Sequence, residues 1–528
     1  MNKANIISAI MKAGMAACLV FAFSACSKQN LDDEAVVPQQ PSQPQEELNT
    51  SYRDDYRLYV IEDDTTVYKP SDNRRGLTPK ENAIGRSLSS YAVKMLIDYD
   101  GDRQNTVLSP MSATLLYSMM ANFANTDATS DANEYMSEIG LDPAVADDMN
   151  SYQRRIACLE ENADARDDAE TSFSVENEMF IQEGREVYNS FLSTTRSYKV
   201  KVKGVDFNNK SEMSQINNAI RKHVGENSVG ISTTAAGGTA SLVSSSLSFQ
   251  QLWKTPFGID SIATVFTDTS GGTVERKMLV KSGKSQFCRF GGYSMLELPY
   301  KGDKFSMFVL LPDENKTLAQ TLTAVQKAGL PYCMEITGDT TRTFHGTSYS
   351  NRKEKIKIIR YRSGYDPETV FETDTIVTDT LETDTILNIR IPKFKFSGTM
   401  ALNSSSLQNT AKSRLYTANL KKVSPGGFTL SNIWQSCCIE ITREGTKASA
   451  KGELPFPVIN TINTGATAHN SEIIIRPSHD YYERVVPQGK RSHETVVEPF
   501  FVNRPFTVFI RENLTGAILF SASIKTLD

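Results

Sequence analysis

The sequence predicts an α+β domain built around a large mixed sheet with helices, and three observations support this. From about Arg86 onward, segments with the helical repeat of apolar residues alternate with segments that have the strand repeat. Residues 305–311 are apolar almost without interruption, which is typical of a strand buried on both faces. Near the end of the chain, two apolar runs flank a polar turn at residues 513–516, the pattern of a β-hairpin.

The individual elements follow from local patterns. The stretch "SLSSYAVKMLIDY" places Leu88, Tyr91, Met95 and Leu96 on one helical face. In "NTVLSPMSATLLYSMMANFA" a short strand precedes a helix, with Ser109 as N-cap and proline in the first turn. The stretch "SFSVENEMFIQEG" is patterned as a strand, and "MLELPYKGDKFSMFVLLPDE" as a hairpin that turns at residues 301–304.

Composition and motifs exclude several classes of function. The net charge is -5 and no basic stripe stands out, which argues against nucleic acid as a partner. The five histidines lack metal-ligand spacing, and no CxxC pair suggests zinc or redox chemistry. No HExxH, phosphate-binding loop or convincing GxSxG motif is found. We therefore predict a monomer that is not an enzyme, with no catalytic residue, cofactor or metal.

The first 25 residues have the features of a secretory signal peptide. Early lysines are followed by an apolar run that is too short to span a membrane, and then by Ser24 and Ala25 before Cys26. The stretch "FSAC" resembles the lipobox of bacterial lipoproteins, which implies lipidation of Cys26. The alternative is a plain signal peptide followed by a chance cysteine.

The N-terminal region also predicts a location. The acidic "LDDE" after Cys26 resembles surface-export signals of some Gram-negative lipoproteins. The Pro/Gln-rich composition that follows predicts a flexible, lipid-anchored tether over residues 26–80, before a domain over residues 81–528. We expect an outer-membrane or cell-surface lipoprotein that contacts the membrane through its lipid anchor only.

Two segments are predicted to be insertions in this domain. Residues 338–387 include the acidic, Thr-rich near-repeat "FETDTIVTDTLETDTI", whose alternation fits strands and whose charge fits a solvated excursion equally well. Residues 461–497 mix strand-like runs with turn residues.

Residues 446–458 combine the pattern of a buried strand with the composition of a loop. With a period of two, one row is small and then apolar, and the other row is mostly polar, as in a strand with one buried face. One glycine and two prolines nevertheless weaken a strand here. Gly452 has no side chain to pack, and Pro455 and Pro457 cannot donate to a sheet ladder.

Five motifs in order resemble the serpin family, across most of the chain beyond the tether. They are the Ser-Pro-x-Ser segment at Ser109, "LVSSSLSFQQLWKTPF", "LELPYKGDKFSMFVLLPDE", "IPKFKFSGTMAL" and "NRPFTVFIRENLTGAILF". The resemblance implies the serpin fold, with a large mixed central sheet, helices and an exposed reactive loop. It also implies inhibition of a serine or cysteine protease, which cleaves the loop and is trapped as a covalent acyl complex while the loop enters the sheet.

The resemblance identifies residues 444–450 as the hinge of the reactive loop. The hinge residues are Glu444, Gly445, Thr446, Ala448, Ser449 and Ala450. The period-two pattern gives a physical reason, since small residues slide between existing strands without a clash.

The reactive bond is predicted about fifteen residues beyond the hinge glycine, at Ile459–Asn460 or one residue earlier, after Val458. Cleavage there would suit elastase-like proteases. Should the loop extend into the second insertion, the alternative cleavage sites are Arg476, Lys490 and Arg491, which would suit trypsin-like proteases.

Several residues depart from the family pattern. Arg443, Gln435 and Ser244 replace an acidic hinge residue, a histidine and an asparagine that are usual in the family. Pro455 and Pro457 would oppose complete insertion. The alternative hypothesis is therefore a non-inhibitory, serpin-fold surface binding protein.

Overall fold

The structure is a computed structural model, and its main compact unit comprises Glu46–Asp528. It describes residues 48–49, 52–53, 58–59, 76–99, 105–123, 131–159, 172–215, 218, 241–338, 345–362, 365–402, 420–425, 432–448 and 481–527.

Most of the described helices lie in the first third of the chain. In chain order the helices are α1 Pro79–Tyr99, α2 Pro110–Phe123, α3 Asp131–Glu138, the 3-10 helix Pro143–Val145, α4 Ala146–Ala157, α5 Asn189–Ser197, α6 Leu318–Ala328 and α7 Leu330–Gly338. In α1 the predicted apolar face is confirmed, because Leu88, Tyr91, Met95 and Leu96 are buried. The predicted N-cap of α2 is also confirmed, since the Ser112 amide donates to the Ser109 hydroxyl over 3.2 Å.

The strands before residue 300 are β1 Leu48–Asn49, β2 Tyr52–Arg53, β3 Leu58–Tyr59, β4 Thr106–Leu108, β5 Ser172–Gln182, β6 Val187–Tyr188, β7 Val200–Val205, β8 Ser241–Leu252, β9 Gly258–Thr267, β10 Thr273–Gly283, β11 Phe287–Phe290 and β12 Tyr293–Pro299. Those after it are β13 Phe305–Pro312, β14 His345–Tyr361, β15 Glu368–Pro392, β16 Phe394–Ala401, β17 Asn432–Ile441, β18 Gly445–Ala448, β19 Tyr481–Val485, β20 Arg491–Phe501, β21 Phe506–Glu512 and β22 Ile518–Ile524.

The largest sheet, here called the central sheet, has eight strands in the order β16-β17-β18-β8-β5-β7-β3-β2. It mixes parallel and antiparallel pairs, since β5 is antiparallel to β8 and parallel to β7. The large mixed sheet with helices that the sequence predicts is therefore confirmed. Strands β1, β2 and β3 lie in the segment predicted as a tether, and β3 pairs with β7 at the edge of the sheet.

A second sheet has six strands in the order β11-β12-β13-β21-β22-β4 and contributes many buried residues to the core. Every residue of β13 and β22 is buried, as the apolar runs predict. Aromatic rings join this sheet to the central sheet, because the Phe249 ring lies 5.3 Å from Phe305 and 6.3 Å from Phe520.

The first predicted insertion forms a long β-hairpin in a third sheet, in the order β19-β14-β15-β10-β9, with β20 also paired to β15. Strands β14 and β15 pair from His345–Asp384 to Arg360–Glu368. Nearer the core, β15 continues into pairs with β10. The outer part of β15 corresponds to about 60 Å of strand at about 3.3 Å per residue. This hairpin is called the arm, and residues 361–368 are at its tip.

Candidate functional site: a central sheet opened at one end

The predicted hinge residues lie in the central sheet as a short extra strand. β18 has four residues and is antiparallel to both of its neighbours. Thr446 is opposite Gln251 of β8 on one side and Ile441 of β17 on the other. At the other end, residues 242–246 of β8 pair directly and in parallel with residues 432–436 of β17. The sheet is therefore open at one end and closed at the other.

Gly445 lets the chain enter this opening. A Cβ atom at this position would overlap the backbone carbonyl oxygen of Gln251, which excludes every residue with a side chain unless the strands move apart. The Thr442 hydroxyl fixes the turn before it, accepting from the Gly445 amide at 3.2 Å and donating to the Gly445 carbonyl at 2.9 Å. β18 therefore begins at a position that needs glycine.

Trp253 anchors the same turn to the body of the protein. Its indole Nε1 donates to the Thr442 carbonyl at 3.1 Å, and its backbone amide donates to the Glu444 carbonyl at 2.8 Å. Arg443, which replaces an acidic residue of the family pattern, donates from Nε to the Phe257 carbonyl at 3.0 Å. The turn at residues 442–444 is thus hydrogen-bonded to both Trp253 and Phe257, although Arg443 itself is exposed.

Thr446 is completely buried and has a specific hydrogen-bond partner. Its hydroxyl lies 2.7 Å from the phenol oxygen of Tyr300. The Tyr300 ring stacks on Trp253 at a centroid distance of 4.6 Å. Burial raises the pKa of the Tyr300 phenol above its ordinary value, so it stays protonated and available as a donor. Tyr300, stacked on Trp253, therefore holds the second residue of β18 in the central sheet.

At the closed end, Gln435 ties β17 to the start of α2. Its side-chain oxygen accepts from the Ser109 amide and its nitrogen donates to the Ser109 carbonyl, both at 2.8 Å. Gln435 is buried, as is its strand neighbour Cys437, whose thiol pKa is raised by burial. The glutamine that departs from the family pattern is thus fully engaged beneath the sheet.

The structure brings together some of the predicted site residues and not others. Glu444, Gly445, Thr446 and Ala448 are contiguous in the turn and in β18. Seven of the other predicted positions lie outside the described residues: Cys26, Ser449, Ala450, Val458, Ile459, Asn460 and Arg476.

The alternative cleavage sites Lys490 and Arg491 lie on the arm. Residues 486–490, here called the strap, join β19 on one edge of the arm to β20 on the other. The Lys490 amide donates to Asp379 Oδ1 at 2.7 Å, and the Lys490 carbonyl accepts from the Thr380 amide at 2.8 Å. Arg352 donates to the same carboxylate at 2.8 Å. The backbone at this site is therefore held in a sheet, while both side chains are exposed.

Sequence reasoning missed the residues that receive the hinge. Trp253 and Tyr300 were placed in family-like motifs without a role in contacting the hinge. The signal was weak, since a tyrosine after an apolar strand and before a turn is as consistent with a core residue. The strap was also missed, because its pairing depends on strands more than a hundred residues apart.

Within the described ranges, no group of three or more His, Cys, Asp or Glu residues is arranged to hold a metal ion. The same part of the chain has no helix that is both long and apolar enough to cross a membrane.

The family model described as "Serpin (serine protease inhibitor)" matches residues 86–343 and 369–526. The chain belongs to the serpin family. Serpins are generally protease inhibitors rather than catalytic enzymes. The residues between the two matched parts, 344–368, include β14 and the tip of the arm, whereas β15 from residue 369 onward lies within the second matched part.

Named relatives and solved structures agree with this family. The chain is 21% identical to "Serine protease inhibitor 2" of Anopheles gambiae over 81% of this chain and 88% of the relative. It is 24% identical to mouse neuroserpin over 66% of this chain and 76% of the relative. The native-state structure of the thermophilic serpin tengpin covers 86% of this chain and 96% of its own, with a TM-score of 0.58 and 16% identity. Human kallistatin covers 85% of this chain and 99% of its own, with a TM-score of 0.58 and 15% identity. The serpin fold is thus common to all of them.

Proposed function

We propose that this serpin inhibits a serine or cysteine protease by a suicide-substrate mechanism, with residues 449–480 as the bait. The observation that carries the proposal is the position of β18. Its four residues already separate β8 from β17 at one end of the central sheet. Cleavage of the bait would free the chain after Ala448 to continue along the same path.

Further insertion requires that the closed end of the sheet opens. The parallel pairs between residues 242–246 and 432–436 would separate, and the new strand would form antiparallel ladders with both neighbours. Each hydrogen bond contributes about 0.5–1.5 kcal/mol net, and antiparallel pairs are slightly more stable than parallel ones. One ladder would be exchanged for two, so extension is favourable once the chain is free to move.

The register of β18 assigns a place to each residue that would follow. Because Gly445 is opposite Leu252, Ala450 would be opposite Leu247, Gly452 opposite Ser245 and Leu454 opposite Val243. These three neighbours on β8 are buried. The small row of the sequence would thus enter the crowded part of the sheet first. Leu454 would follow it into the core and contribute about 1.5–3 kcal/mol.

The same register predicts where the two prolines would lie in an inserted strand. Pro455 would be opposite Leu242 of β8 and Asn432 of β17, where both neighbouring strands begin. Pro457 would lie beyond them. A proline at the end of a ladder removes little pairing, whereas one in the middle of a central strand interrupts it. Residues 449–454 would therefore be inserted before either proline matters.

The expected reactive bond follows directly after this segment. Cleavage between Ile459 and Asn460, or after Val458, would leave a strand long enough to fill the opening between β8 and β17. Cleavage after Arg476 would leave a longer tail. Cleavage at Lys490 or Arg491 would first require removal of the strap from Asp379 and Thr380, so we favour the first site.

The covalent step uses groups of the target protease. Its serine or cysteine attacks the carbonyl carbon of the reactive bond, the peptide bond breaks, and the new amine leaves with a proton from the protease's general acid. The bait remains attached as an ester or thioester. Insertion would then move the protease away from the cleaved end before water can hydrolyse the acyl bond.

A protease panel tests the proposal. The purified chain is mixed with pancreatic elastase, trypsin, subtilisin and papain, and the products are examined by denaturing electrophoresis, mass spectrometry and thermal melting. We expect an SDS-resistant adduct, a cut near Ile459 and a higher melting temperature of the cleaved chain. Cleavage without an adduct or a change in melting would contradict inhibition. It would favour the alternative of a serpin-fold binding protein, as thyroxine-binding globulin is in its complex with thyroxine.

We further propose that Cys26 carries a lipid that holds the inhibitor at the outer membrane or the cell surface. The support is the "FSAC" sequence after an apolar run. Labelling with a radioactive fatty acid in a Gram-negative host should mark the chain and be lost in Cys26→Ser. Retention of the label in that variant would exclude this anchor.

A further inference from the structure

The tip of the arm carries an aromatic cluster that the proposed trapping step does not use. Among the exposed large side chains of the described residues, Tyr365 has 72% of its surface exposed, Phe371 55% and Tyr482 60%. Exposed aromatic groups of this size are unusual on a hairpin otherwise rich in Thr, Glu and Lys, and they commonly mark sites of protein contact.

Two of these side chains, Phe371 and Tyr482, lie on the same face of the arm. Phe371 is opposite Ile358, and Tyr482 is opposite Arg360, two residues further along β14. Because directly opposed residues share a face of a sheet and residues two apart also share it, all four are on one face. Tyr365 lies in the adjoining turn.

Two arginines lie against aromatic rings at the tip. The Arg360 guanidinium carbon lies 5.9 Å from the centre of the Tyr482 ring, and that of Arg362 lies 5.2 Å from the centre of the Tyr365 ring. Tyrosine and arginine are the residue types that most often dominate binding energy in protein interfaces. The tip cluster is defined as Arg360, Arg362, Tyr365, Phe371 and Tyr482.

The connectivity identifies the partner. The bait, residues 449–480, is attached to the central sheet at Ala448 and to the arm at Tyr481, the first residue of β19. A protease that holds any bond of the bait is therefore tethered between these two points. Tyr482 is two residues beyond the end of the bait and 22 residues beyond Asn460, so a protease at the proposed reactive bond is tethered to the cluster by at most about 75 Å of extended chain.

We propose that the tip cluster is a second docking surface for the attacking protease, outside that protease's substrate cleft. This inference rests on the proposed function for the identity of the partner. The cluster would hold the catalytic domain near the bait and increase the rate of productive encounter. It would not alter insertion, which takes place in the central sheet.

The test compares two variants of the full chain. The tip variant is Tyr365→Ser, Phe371→Thr and Tyr482→Thr. The matched control is Tyr349→Thr and Ile376→Thr, because these residues are 71% and 68% exposed on the opposite face of the same hairpin. Threonine retains strand propensity. Equal melting temperatures of both variants and the parent chain verify folding, and the single variant Tyr482→Thr serves if the triple one is unstable.

Pancreatic elastase, trypsin, subtilisin and papain are the probes. For those that cut the bait, the second-order rate constant of adduct formation should fall about tenfold or more in the tip variant, as expected for loss of interface hot spots. The number of inhibitor molecules consumed per protease should not change, and the control should match the parent. Rates equal to the parent's for every such protease would overturn the proposal.

The design separates this inference from the proposed function. If no protease forms an adduct, the proposed function fails, and the rate of bait cleavage by the same proteases still reports on docking. A tenfold slower cleavage of the tip variant would then support the cluster, and unchanged cleavage would overturn it. Sedimentation at several concentrations examines a second copy as the partner. A dimer of the parent chain that is lost in the tip variant would overturn the proposal.

Discussion

The hydroxyl of Thr446 lies 2.7 Å from the phenol oxygen of Tyr300, and both side chains are fully buried. This contact joins the second residue of β18 to the strand end that precedes the turn at residues 301–304. At the open end of the central sheet, the Tyr300 hydroxyl is therefore positioned to hydrogen-bond the side chain at position 446. Four predictions follow from this site and from the strap.

Replacing Thr446 by arginine should abolish trapping. A buried position with no exposed surface has no room for a guanidinium group, and its charge would be left unpaired in the core. We expect β18 to be expelled, and the SDS-resistant adduct to be replaced by simple cleavage of the bait. The matched control is Lys447→Arg, one residue along the same strand, which should trap normally. An adduct formed by Thr446→Arg at the parent rate would contradict the role of β18.

The hydrogen bond between Thr446 and Tyr300 should contribute measurably to stability. Thr446→Val removes one partner and leaves a buried phenol unsatisfied, which should lower the free energy of unfolding by about 1–3 kcal/mol. Tyr300→Phe should be destabilising for the same reason, and the double variant should cost less than the sum of the two. Urea denaturation of all four proteins measures the coupling. Additive effects would show that the two groups do not interact.

The register of β18 predicts where a proline is tolerated. Ala450→Pro places a residue without an amide hydrogen in the middle of the inserted strand, opposite Leu247, and should convert most of the inhibitor into a substrate. In an inserted strand Pro455 would lie opposite only the ends of β8 and β17. We therefore expect Pro455→Ala to have little effect on trapping. The ratio of inhibitor consumed to protease trapped measures both. A large improvement of trapping in Pro455→Ala would indicate that the natural proline limits insertion.

We expect the hydrogen bond between the strap and Asp379 to weaken at low pH. The pKa of the Asp379 carboxyl lies below its ordinary range. The hydrogen bond from the Lys490 amide is the main cause, and the hydrogen bond and charge of Arg352 add to it. A depressed carboxyl pKa contributes stability above the pKa of the unfolded state, about 3.9, and this contribution is lost as the pH falls through the lower folded value. Protection of the Lys490 amide from hydrogen exchange, corrected for the intrinsic rate, should therefore decline below about pH 4.

A variant that removes this charge gives the matching test at neutral pH. Asp379→Asn weakens both the bond to the Lys490 amide and the ion pair with Arg352. We expect trypsin to cut at Lys490 or Arg491 faster in this variant, with the rate in the parent chain as reference. Unchanged cleavage would mean that backbone pairing with Thr380 alone secures the strap.

The sequence by itself determined much of the fold and the start of the site. Helix α1, the capped start of α2 and the fully buried strands β13 and β22 follow from local repeats, because burial of one face imposes its period on the chain. The row of small residues from Thr446 onward predicted a strand with one buried face, and β18, Gly445–Ala448, contains the first two of them. These features depend on neighbours a few residues apart.

Only the tertiary structure decided how far β18 separates β8 from β17, which residues contact Thr446, and that β19 and β20 pair with the arm. The contacts of Thr446 with Tyr300, of Gln435 with Ser109 and of Lys490 with Asp379 join residues separated by 146, 326 and 111 positions. No periodicity within one segment encodes such a pairing, since it depends on which strands become neighbours. The acidic near-repeat was equally compatible with a solvated loop. It forms a strand of the arm because β14 and β20 satisfy its backbone hydrogen bonds.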